Sequence, residues 1–391
     1  MKIAFCNNNM FGFYSFRKDI ARFFARHGCQ ILLLYPKCCE DSYYILRLSQ
    51  YCKCIPVSMN PNQTNVFKDL RLYFELKRIY KEEKPDIVFN YTIKPNIYSA
   101  LAAHCLGIKV VSMMAGLGYA FCGNSIKKEL IRRFYRIGLR AADKVIVLNK
   151  NSYDTIVEKY VNTEKLILFS GGEGVNMEEY PFLENCFEET HFLMISRLLY
   201  DKGYQEFVEA AKVVKEQYPN VHFELLGGLS EDSPTGVTKE KLAEDIETGA
   251  IEYLGVTNDV PKVVLRDGVV VVVPSYYMEG MNRALMEACS MGRPIITTDM
   301  PGCKEMVEDG VNGYCIPPKN AHALAKACIK FLKLEERDKR RMARASYEKC
   351  RSQFDIKNVI AKYNIIIKDL LSQKFISSAP YDELENLNTE I

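Results

Sequence analysis

Short apolar runs alternate with stretches of helical periodicity along the first half of the chain. Apolar residues recur at helical spacing over residues 14–27, and further helical stretches separate the later runs. Strands that alternate with helices favour a parallel sheet. The predicted strands read KIAFC, QILLLY, PDIVFNY, IKVVSMM and DKVIVLN.

The alternation stops near Ser170 and then restarts. The segment SGGEGVNMEEYPF concentrates glycine without periodicity, which indicates a connector between two globular domains. Later runs predict a second doubly wound sheet: HFLMIS, VHFELLGG, IEYLG, GVVVVVP, RPIITT and NGYCIPP. We therefore predict a first domain over residues 1–172, a second over 173–354, a helix over about 355–373 that packs on the first, and a polar tail over 375–391.

Composition and charge narrow the class of protein. Of 391 residues, 48% are hydrophobic and 26% charged, which is typical of a globular protein with sizeable cores. A net charge of +3 is too small to indicate nucleic-acid binding. The N-terminus has no secretory h-region, so the cysteines are interpreted as reduced thiols of a cytoplasmic protein. The apolar stretch of membrane length, residues 99–123, is interpreted as buried core because Gly107 and Lys109 divide it.

A first cluster of candidate functional residues follows the predicted strand HFLMI. Ser196 and Arg197 come directly after this strand, and Lys202 and Gly203 lead into the next helix. The N-terminus of a helix offers free backbone N–H groups, and a guanidinium and an ammonium beside it suit a diphosphate. Loop cations are usually solvated, so this cluster alone is a weak signal.

A second cluster follows the predicted strand VVVVVP. It consists of Glu279, Gly280, Met281, Asn282 and Glu287. Carboxylates at the end of a strand suit sugar hydroxyls, because each carboxylate accepts two hydrogen bonds from a vicinal diol. The alternative is a helix cap at Glu279 and a solvated face at Glu287. The apolar context LMEAC favours function, because a carboxylate there requires a partner.

Taken in order along the chain, these clusters and a later segment resemble glycosyltransferase family 4. The resemblance implies an α/β GT-B fold, with two facing Rossmann-like doubly wound domains and an interdomain cleft. It also implies transfer of a sugar with retention of anomeric configuration. The residues that carry it are Ser196-Arg197, Lys202-Gly203, Glu279-Gly280, Glu287 and GRPIITTDMPGCKEMVEDGVNG.

The resemblance assigns roles to these residues. Arg197 and Lys202 neutralise the donor diphosphate, so neither a metal ion nor a cofactor is expected. Glu279 holds the transferred sugar and Glu287 the ribose, and no protein nucleophile is required. The implied catalytic residues are Glu279, Arg197 and Lys202, and the implied donor-binding residues are Ser196, Arg197, Lys202, Glu279, Gly280, Met281, Asn282 and Glu287.

The first domain departs from the family pattern at one position. Many members place a histidine near the reacting carbon, whereas the stretch MMAGLGYAF has none, so that role is unassigned. The segments GLGYAF and NYTIKPN resemble the bacterial subgroup that extends glycan repeat units on lipid-linked diphosphates. Lys94 is a candidate for an acceptor phosphate. Candidate acceptor-binding residues, at or after the ends of predicted strands, are Asn90, Lys94, Gly116 and Gly118.

A basic amphipathic helix is predicted over residues 125–144. Such a helix suits an anionic membrane surface, although a packed surface helix with solvated cations is an equally good interpretation. The lipid-linked acceptor class favours membrane contact. The cations concerned are Lys127, Lys128, Arg132, Arg133, Arg136 and Arg140.

The sequence therefore predicts a peripheral enzyme on the cytoplasmic face of a bacterial membrane. It is expected to move a hexose or N-acetylhexosamine from a UDP-sugar to a polyprenyl-diphosphate-linked saccharide in surface polysaccharide synthesis, such as capsule or O-antigen. Two alternatives stay open: a nucleotide-sugar 2-epimerase on the same fold, and a catalytically silent scaffold. An epimerase requires a carboxylate acid–base pair from the first domain, and no convincing pair is found there.

Overall fold

The chain forms two compact units in the computed structural model. Unit 1 comprises Met1–Gly174 together with the last helix, and unit 2 comprises Val175–Asp355. The division thus falls after Gly174, close to the predicted position after residue 172. The predicted polar tail lies outside the described residues, which are 1–37, 42–60, 66–114 and 126–371.

Unit 1 contains a seven-stranded parallel sheet in the order β3-β2-β1-β4-β5-β6-β7. The order of the strands reverses between β1 and β4, which makes the carboxyl ends of these two strands the expected place for a ligand. The strands are β1 (Lys2–Cys6), β2 (Gln30–Pro36), β3 (Cys52–Val57), β4 (Ile87–Tyr91), β5 (Lys109–Met114), β6 (Lys144–Val147) and β7 (Leu166–Leu168).

The helices of unit 1 connect successive strands. Asn9 begins the first helix by accepting a hydrogen bond from the backbone N–H of Gly12 at 3.0 Å. A π-helical turn, Pro95–Ser99, continues directly into α4. The helices are α1 (Met10–Arg26), α2 (Ser42–Leu48), α3 (Val66–Glu83), α4 (Ala100–His104), α5 (Ile126–Ala141) and α6 (Lys150–Lys159).

Unit 2 contains a six-stranded parallel sheet in the order β10-β9-β8-β11-β12-β13, which reverses between β8 and β11. All six strands predicted for this half are confirmed. They are β8 (His191–Ile195), β9 (His222–Leu226), β10 (Glu252–Gly255), β11 (Val269–Val273), β12 (Ile295–Thr298) and β13 (Gly313–Ile316). The helices are α7 (Tyr204–Gln217), α8 (Lys239–Glu247), α9 (Val260–Val264), α10 (Arg283–Ser290), α11 (Ala321–Leu332) and α12 (Glu336–Gln353).

The last helix, α13 (Ile356–Leu371), belongs to unit 1 and packs against α1. Its Tyr363 is fully buried, and the Tyr363 hydroxyl lies 2.9 Å from that of Tyr91 at the end of β4. Arg17 of α1 lies over the ring of Tyr91 at 3.9 Å and pairs with the carboxylate of Glu173. Aromatic packing and a buried ion pair thus tie the last helix and the end of the connector to the rest of unit 1.

Two edge strands, β3 and β7, were not predicted. In β3 the exposed Lys53 and Pro56 interrupt the apolar run, and proline is tolerated at a sheet edge because one side of the strand has no ladder to join. Strand β7 has only three residues, too few for a periodic signal. Across the described residues, no helix is both long and apolar enough to cross a membrane.

Candidate functional site

Two loops meet at the carboxyl ends of β8 and β11, where the strand order of unit 2 reverses. The loop after β8 carries Ser196 and Arg197 and ends in the turn Tyr200–Lys202 before α7. Gly203 has φ +87°, and a Cβ there would lie 2.3 Å from the carbonyl oxygen of Pro274. Only glycine allows this approach, which brings the start of α7 against the end of β11.

Lys202 and Glu279 form an ion pair at this point. The Nζ of Lys202 lies 2.7 Å from Oε1 of Glu279, and each side chain is 13% exposed. The Nδ2 of Asn282 donates to the same oxygen at 3.0 Å, and the ring of Tyr277 lies 5.0 Å below Nζ. The fold therefore joins one residue from the first predicted cluster to two from the second.

The backbone of residues 279–282 is held by a neighbouring loop. Gly302 has φ +85°, and a Cβ there would lie 2.9 Å from the carbonyl oxygens of both Glu279 and Gly280. The backbone N–H of Asn282 donates to the carbonyl of Gly302 at 2.7 Å, so this N–H is already engaged. The Oδ1 of Asn282 accepts from the N–H of Leu285 at 3.1 Å and caps α10. Gly280 and Met281 are buried beside it.

Glu287 is the fifth residue of α10, so it lies about one turn into the helix. The Nε of Arg283 donates to Oε1 of Glu287 at 2.7 Å, and both side chains are nearly buried. Burial acts to lower the pKa of Arg283, but the adjacent carboxylate outweighs burial and raises it. Burial and the same carboxylate raise the pKa of Tyr180, whose ring lies 5.5 Å from the guanidinium.

Arg283 is the partner that the apolar context of Glu287 requires, and the sequence reasoning missed it. The i, i+4 spacing of the two residues was an available signal, because such residues are neighbours on a helix. Since Arg283 neutralises Glu287, burial alone does not require a ligand there. The remaining argument for a ligand at Glu287 is its position on the helix that follows Glu279.

Arg197 is set apart from these pairs. Its side chain is exposed and makes no ion pair with any residue of the described ranges, and the hydroxyl of Ser196 donates to the Arg197 carbonyl at 3.0 Å. An exposed guanidinium beside the start of a helix is available to an anion from solution.

The predicted acceptor residues of unit 1 are placed differently. Asn90 is fully buried in β4, where its Oδ1 accepts from the hydroxyl of Ser99 at 2.5 Å. Lys94 is nearly buried and pairs with Asp69 at 2.5 Å, a partner from α3 that the sequence reasoning also missed. Gly116 and Gly118 lie outside the described residues.

The predicted basic helix is α5. Its buried residues, within the described part of the helix, are Tyr135, Gly138, Leu139 and Ala141, and a Cβ at Gly138 would lie 2.2 Å from the carbonyl oxygen of Asn96. Both apolar and cationic side chains therefore face solvent: Leu130, Phe134, Ile137, Arg133, Arg136 and Arg140.

The remaining predicted cations of α5 are less exposed or not described. Arg132 is only partly exposed and lies 3.5 Å from Glu129, which also pairs with Arg133 at 3.7 Å. The side chains of Lys127 and Lys128 are outside the described set.

Two family models match the chain, and together they cover most of it. Residues 18–172 match the model described as Glycosyltransferase Family 4, and residues 183–349 match the model described as Glycosyl transferases group 1. The second match contains every predicted donor-binding residue.

Curated relatives match over most of their length. The chain is 25% identical to an N,N'-diacetylbacillosaminyl-diphospho-undecaprenol alpha-1,3-N-acetylgalactosaminyltransferase of Campylobacter jejuni, over 95% of this chain and 100% of the relative. It is 26% identical to a UDP-Gal:alpha-D-GlcNAc-diphosphoundecaprenol alpha-1,3-galactosyltransferase of Escherichia coli, over 68% of this chain and 71% of the relative.

Solved structures share the fold at lower identity. A glycosyltransferase from Rickettsia africae has a TM-score of 0.75 and 19% identity, covering 95% of this chain and 98% of its own. The protein Alr3699/HepE from Anabaena, solved in complex with UDP, has a TM-score of 0.74 and 17% identity, covering 94% of this chain and 100% of its own.

Proposed function

Because the chain belongs to glycosyltransferase family 4 and has its GT-B fold, we propose that this glycosyltransferase moves a hexose or N-acetylhexosamine from a UDP-sugar to a polyprenyl-diphosphate-linked saccharide. The transfer retains the anomeric configuration and uses no metal ion. The product is an intermediate in the synthesis of a bacterial surface polysaccharide, made at the cytoplasmic face of the membrane.

The cluster of Lys202, Glu279 and Asn282 carries this proposal. It brings a cation and a carboxylate to the strand ends at which sheets of this kind bind ligands. An ammonium has three protons, and the bond to Glu279 uses one of them, so Lys202 can also donate to phosphate oxygens. Asn282 fixes Glu279, so that the carboxylate is oriented before a sugar hydroxyl arrives.

The donor diphosphate is assigned to Lys202, Arg197 and the start of α7. The N-terminus of α7 has no side-chain cap, so its first N–H groups add positive potential at the place where the diphosphate would lie. Negative charge develops on the diphosphate as the sugar departs, and fixed positive groups stabilise this charge without reorganisation. Glu287, oriented by Arg283, is assigned to the ribose hydroxyls.

The anomeric configuration is retained when the acceptor hydroxyl attacks the sugar carbon from the same face that the diphosphate leaves. The departing phosphate oxygen takes the proton of that hydroxyl, and the sugar carbon passes through an oxocarbenium-like state. In this step Lys202 and Arg197 stabilise the leaving group, and Glu279 fixes the hydroxyls of the transferred sugar. No protein nucleophile takes part.

The acceptor class is proposed from the relatives, because two of them are named for sugars on undecaprenyl diphosphate. Another relative, from Bacillus anthracis, is an N-acetyl-alpha-D-glucosaminyl L-malate synthase at 25% identity over 79% of this chain and 82% of its own length. A small hydroxy acid is therefore the acceptor that competes with the lipid-linked one. The exposed apolar and cationic side of α5 supports the lipid-linked class, since that acceptor lies at a membrane surface.

The test is a donor and acceptor screen of the full chain in the presence of EDTA. Thermal stabilisation is measured with a panel of nucleotide sugars, and nucleotide release with each stabilising donor plus either a polyprenyl-diphosphate-linked sugar or L-malate. We expect one UDP-sugar to stabilise the protein and to be consumed only with the lipid-linked acceptor. Activity that requires an added divalent ion would contradict metal independence, and transfer to L-malate alone would contradict the acceptor class.

Two further outcomes separate the alternatives. Interconversion of a nucleotide sugar without any acceptor would identify an epimerase. Binding of a donor without turnover under any condition would identify a silent scaffold.

A further inference from the structure

Helix α3 turns three large apolar side chains towards solvent. Phe67 is 86% exposed, Leu70 52% and Phe74 59%, and their spacing places them on one side of the helix. The opposite side carries Leu72, Leu76, Ile79 and Tyr80, which are buried. The helix thus packs one apolar face in the core and exposes a second apolar face.

Cations accompany these apolar side chains on the exposed side of α3. The acidic residues of the helix are mostly directed elsewhere: Asp69 pairs with Lys94, and Glu75 accepts from the backbone N–H of Ser58 at 2.9 Å. Glu82 is the exposed acidic residue of α3. The exposed cations are Lys68, Arg71, Arg78 and Lys81.

Helices α3 and α5 lie on either side of the segment that runs from Pro95 to His104, and both pack against it. Each follows a parallel strand, β3 or β5, and leads to the next one, so each begins at the carboxyl edge of the sheet. The exposed apolar residues of α3 all lie in its first half, whereas Leu130, Phe134 and Ile137 extend from the first half of α5 into its second. The exposed apolar side chains of α3 and Leu130 of α5 therefore lie towards the same edge, and cations lie further from it, with Arg78 and Lys81 on α3 and Arg140 on α5.

We propose that α3 and α5 together form one docking surface for an anionic lipid bilayer, with Phe67, Leu70 and Phe74 entering the interface. Interleaved cations and apolar side chains complement a surface that is negatively charged outside and apolar within, which a bilayer with anionic lipids provides. The inference deepens the proposed function and rests on it, because a lipid-linked acceptor would reach the carboxyl edge of unit 1 from that bilayer.

The experiment is sedimentation of the full chain with phosphatidylcholine vesicles, with or without phosphatidylglycerol. We expect Phe67→Ser/Phe74→Ser to weaken binding to the anionic vesicles roughly tenfold, because two apolar side chains no longer enter the interface. The matched control is Leu183→Ser/Ile365→Ser, which removes two exposed apolar side chains from unit 2 and α13 and leaves binding unchanged. The charge variant Arg71→Gln/Arg78→Gln reduces binding roughly tenfold at low salt, and this loss shrinks as salt is added.

Unchanged vesicle binding in both α3 variants would overturn the proposal. So would a different occupant: if Phe67→Ser/Phe74→Ser converts a dimer to a monomer without altering vesicle binding, the face joins two copies of the chain. The proposed function fails separately. If the enzyme works as proposed, the α3 variants still turn over a water-soluble diphosphate-linked acceptor. If the chain binds vesicles through α3 but transfers no sugar, only the proposed function is contradicted.

Discussion

The two units have the same kind of parallel sheet and differ in what they present to solvent. In the described residues, all the exposed phenylalanines and tyrosines belong to unit 1: Phe11, Tyr43, Phe67, Phe74 and Phe134. The exposed large apolar residues of unit 2 are aliphatic: Leu183, Val213, Ile246, Leu254, Val256 and Val311. Aromatic side chains favour boundaries between water and an apolar phase, so the difference points to different environments for the two units.

The two units also differ in the polar side chains at the ends of their strands. In unit 2, Lys202, Glu279 and Asn282 are joined by hydrogen bonds where the strand order reverses, and the exposed Arg197 lies in the same loop as Lys202. In unit 1, Asn90 is fully buried and Lys94 is nearly buried and paired with Asp69. Unit 2 therefore has the features of a small-molecule site, whereas the distinctive features of unit 1 lie on the outer sides of its helices.

The sharpest test of this contrast is Lys202→Ala. We expect a loss of turnover of about 100- to 1,000-fold, because a fixed positive group no longer stabilises the leaving diphosphate. Vesicle binding is expected to stay the same, since unit 1 is untouched. Turnover and vesicle sedimentation are measured on the same preparation, with Lys212→Ala, an exposed lysine on α7, as the control. Full activity of Lys202→Ala would contradict the site.

Gly203→Ala tests whether the close approach of α7 to β11 builds that site. The new Cβ would lie 2.3 Å from the carbonyl of Pro274 in a backbone conformation of φ +87°, so we expect unit 2 to lose about 3 kcal/mol of stability in urea unfolding. Gly249→Ala separates the two causes, because its φ is +71° but no atom lies within 4 Å. Gly249→Ala should lower the stability of unit 2 by only about 1 kcal/mol. Equal losses would show that the contact with Pro274 is unimportant.

Acid should weaken unit 2 through Glu224. Burial acts to raise the pKa of this carboxyl, but hydrogen bonds from His191 and Arg266 outweigh burial and lower it to about 2. A depressed pKa stabilises the fold fully above the unfolded value near 4.5, and this stability is lost as pH falls towards 2. Glu224→Gln should cost roughly 2 kcal/mol at pH 7 and flatten the pH dependence of unfolding in that window. An unchanged pH profile would contradict the assignment.

The smallest expected effect on stability belongs to Arg133→Gln. The pair of Arg133 with Glu129 is exposed on α5, so its removal should change the free energy of unfolding by less than about 0.5 kcal/mol. Binding to anionic vesicles should fall several-fold, since about 1 kcal/mol is lost with each cation near the surface. A clear loss of stability would indicate that the cations of α5 serve the fold instead of the bilayer.

The sequence was most informative where burial was complete. Val269–Val273 are all fully buried, and such a strand reads as a continuous apolar run. The signal failed at β3, because the exposed Lys53 and Pro56 interrupt its apolar run. The family motifs located Lys202 and Glu279, but spacing does not reveal that the two side chains bond to each other, because their contact depends on how two distant loops meet.

The orientation of α5 shows a second limit. The amphipathic pattern left open whether the apolar side packs or faces outward, and in the structure Leu130, Phe134 and Ile137 are exposed. The packing side is set by Gly138, whose missing side chain allows the helix to approach the carbonyl of Asn96. A single small residue gave no periodic signal, although it decides which way the helix faces.

The position of α13 bears on how the chain is made. Unit 1 is complete only when residues 356–371 arrive, although its sheet ends near residue 168. During synthesis the whole of unit 2 leaves the ribosome before Tyr363 can cover Phe89 and Phe169, whose rings it contacts. Unit 2 can therefore fold as the chain emerges, whereas the nascent unit 1 keeps an apolar face open to chaperones until residues 356–371 have emerged.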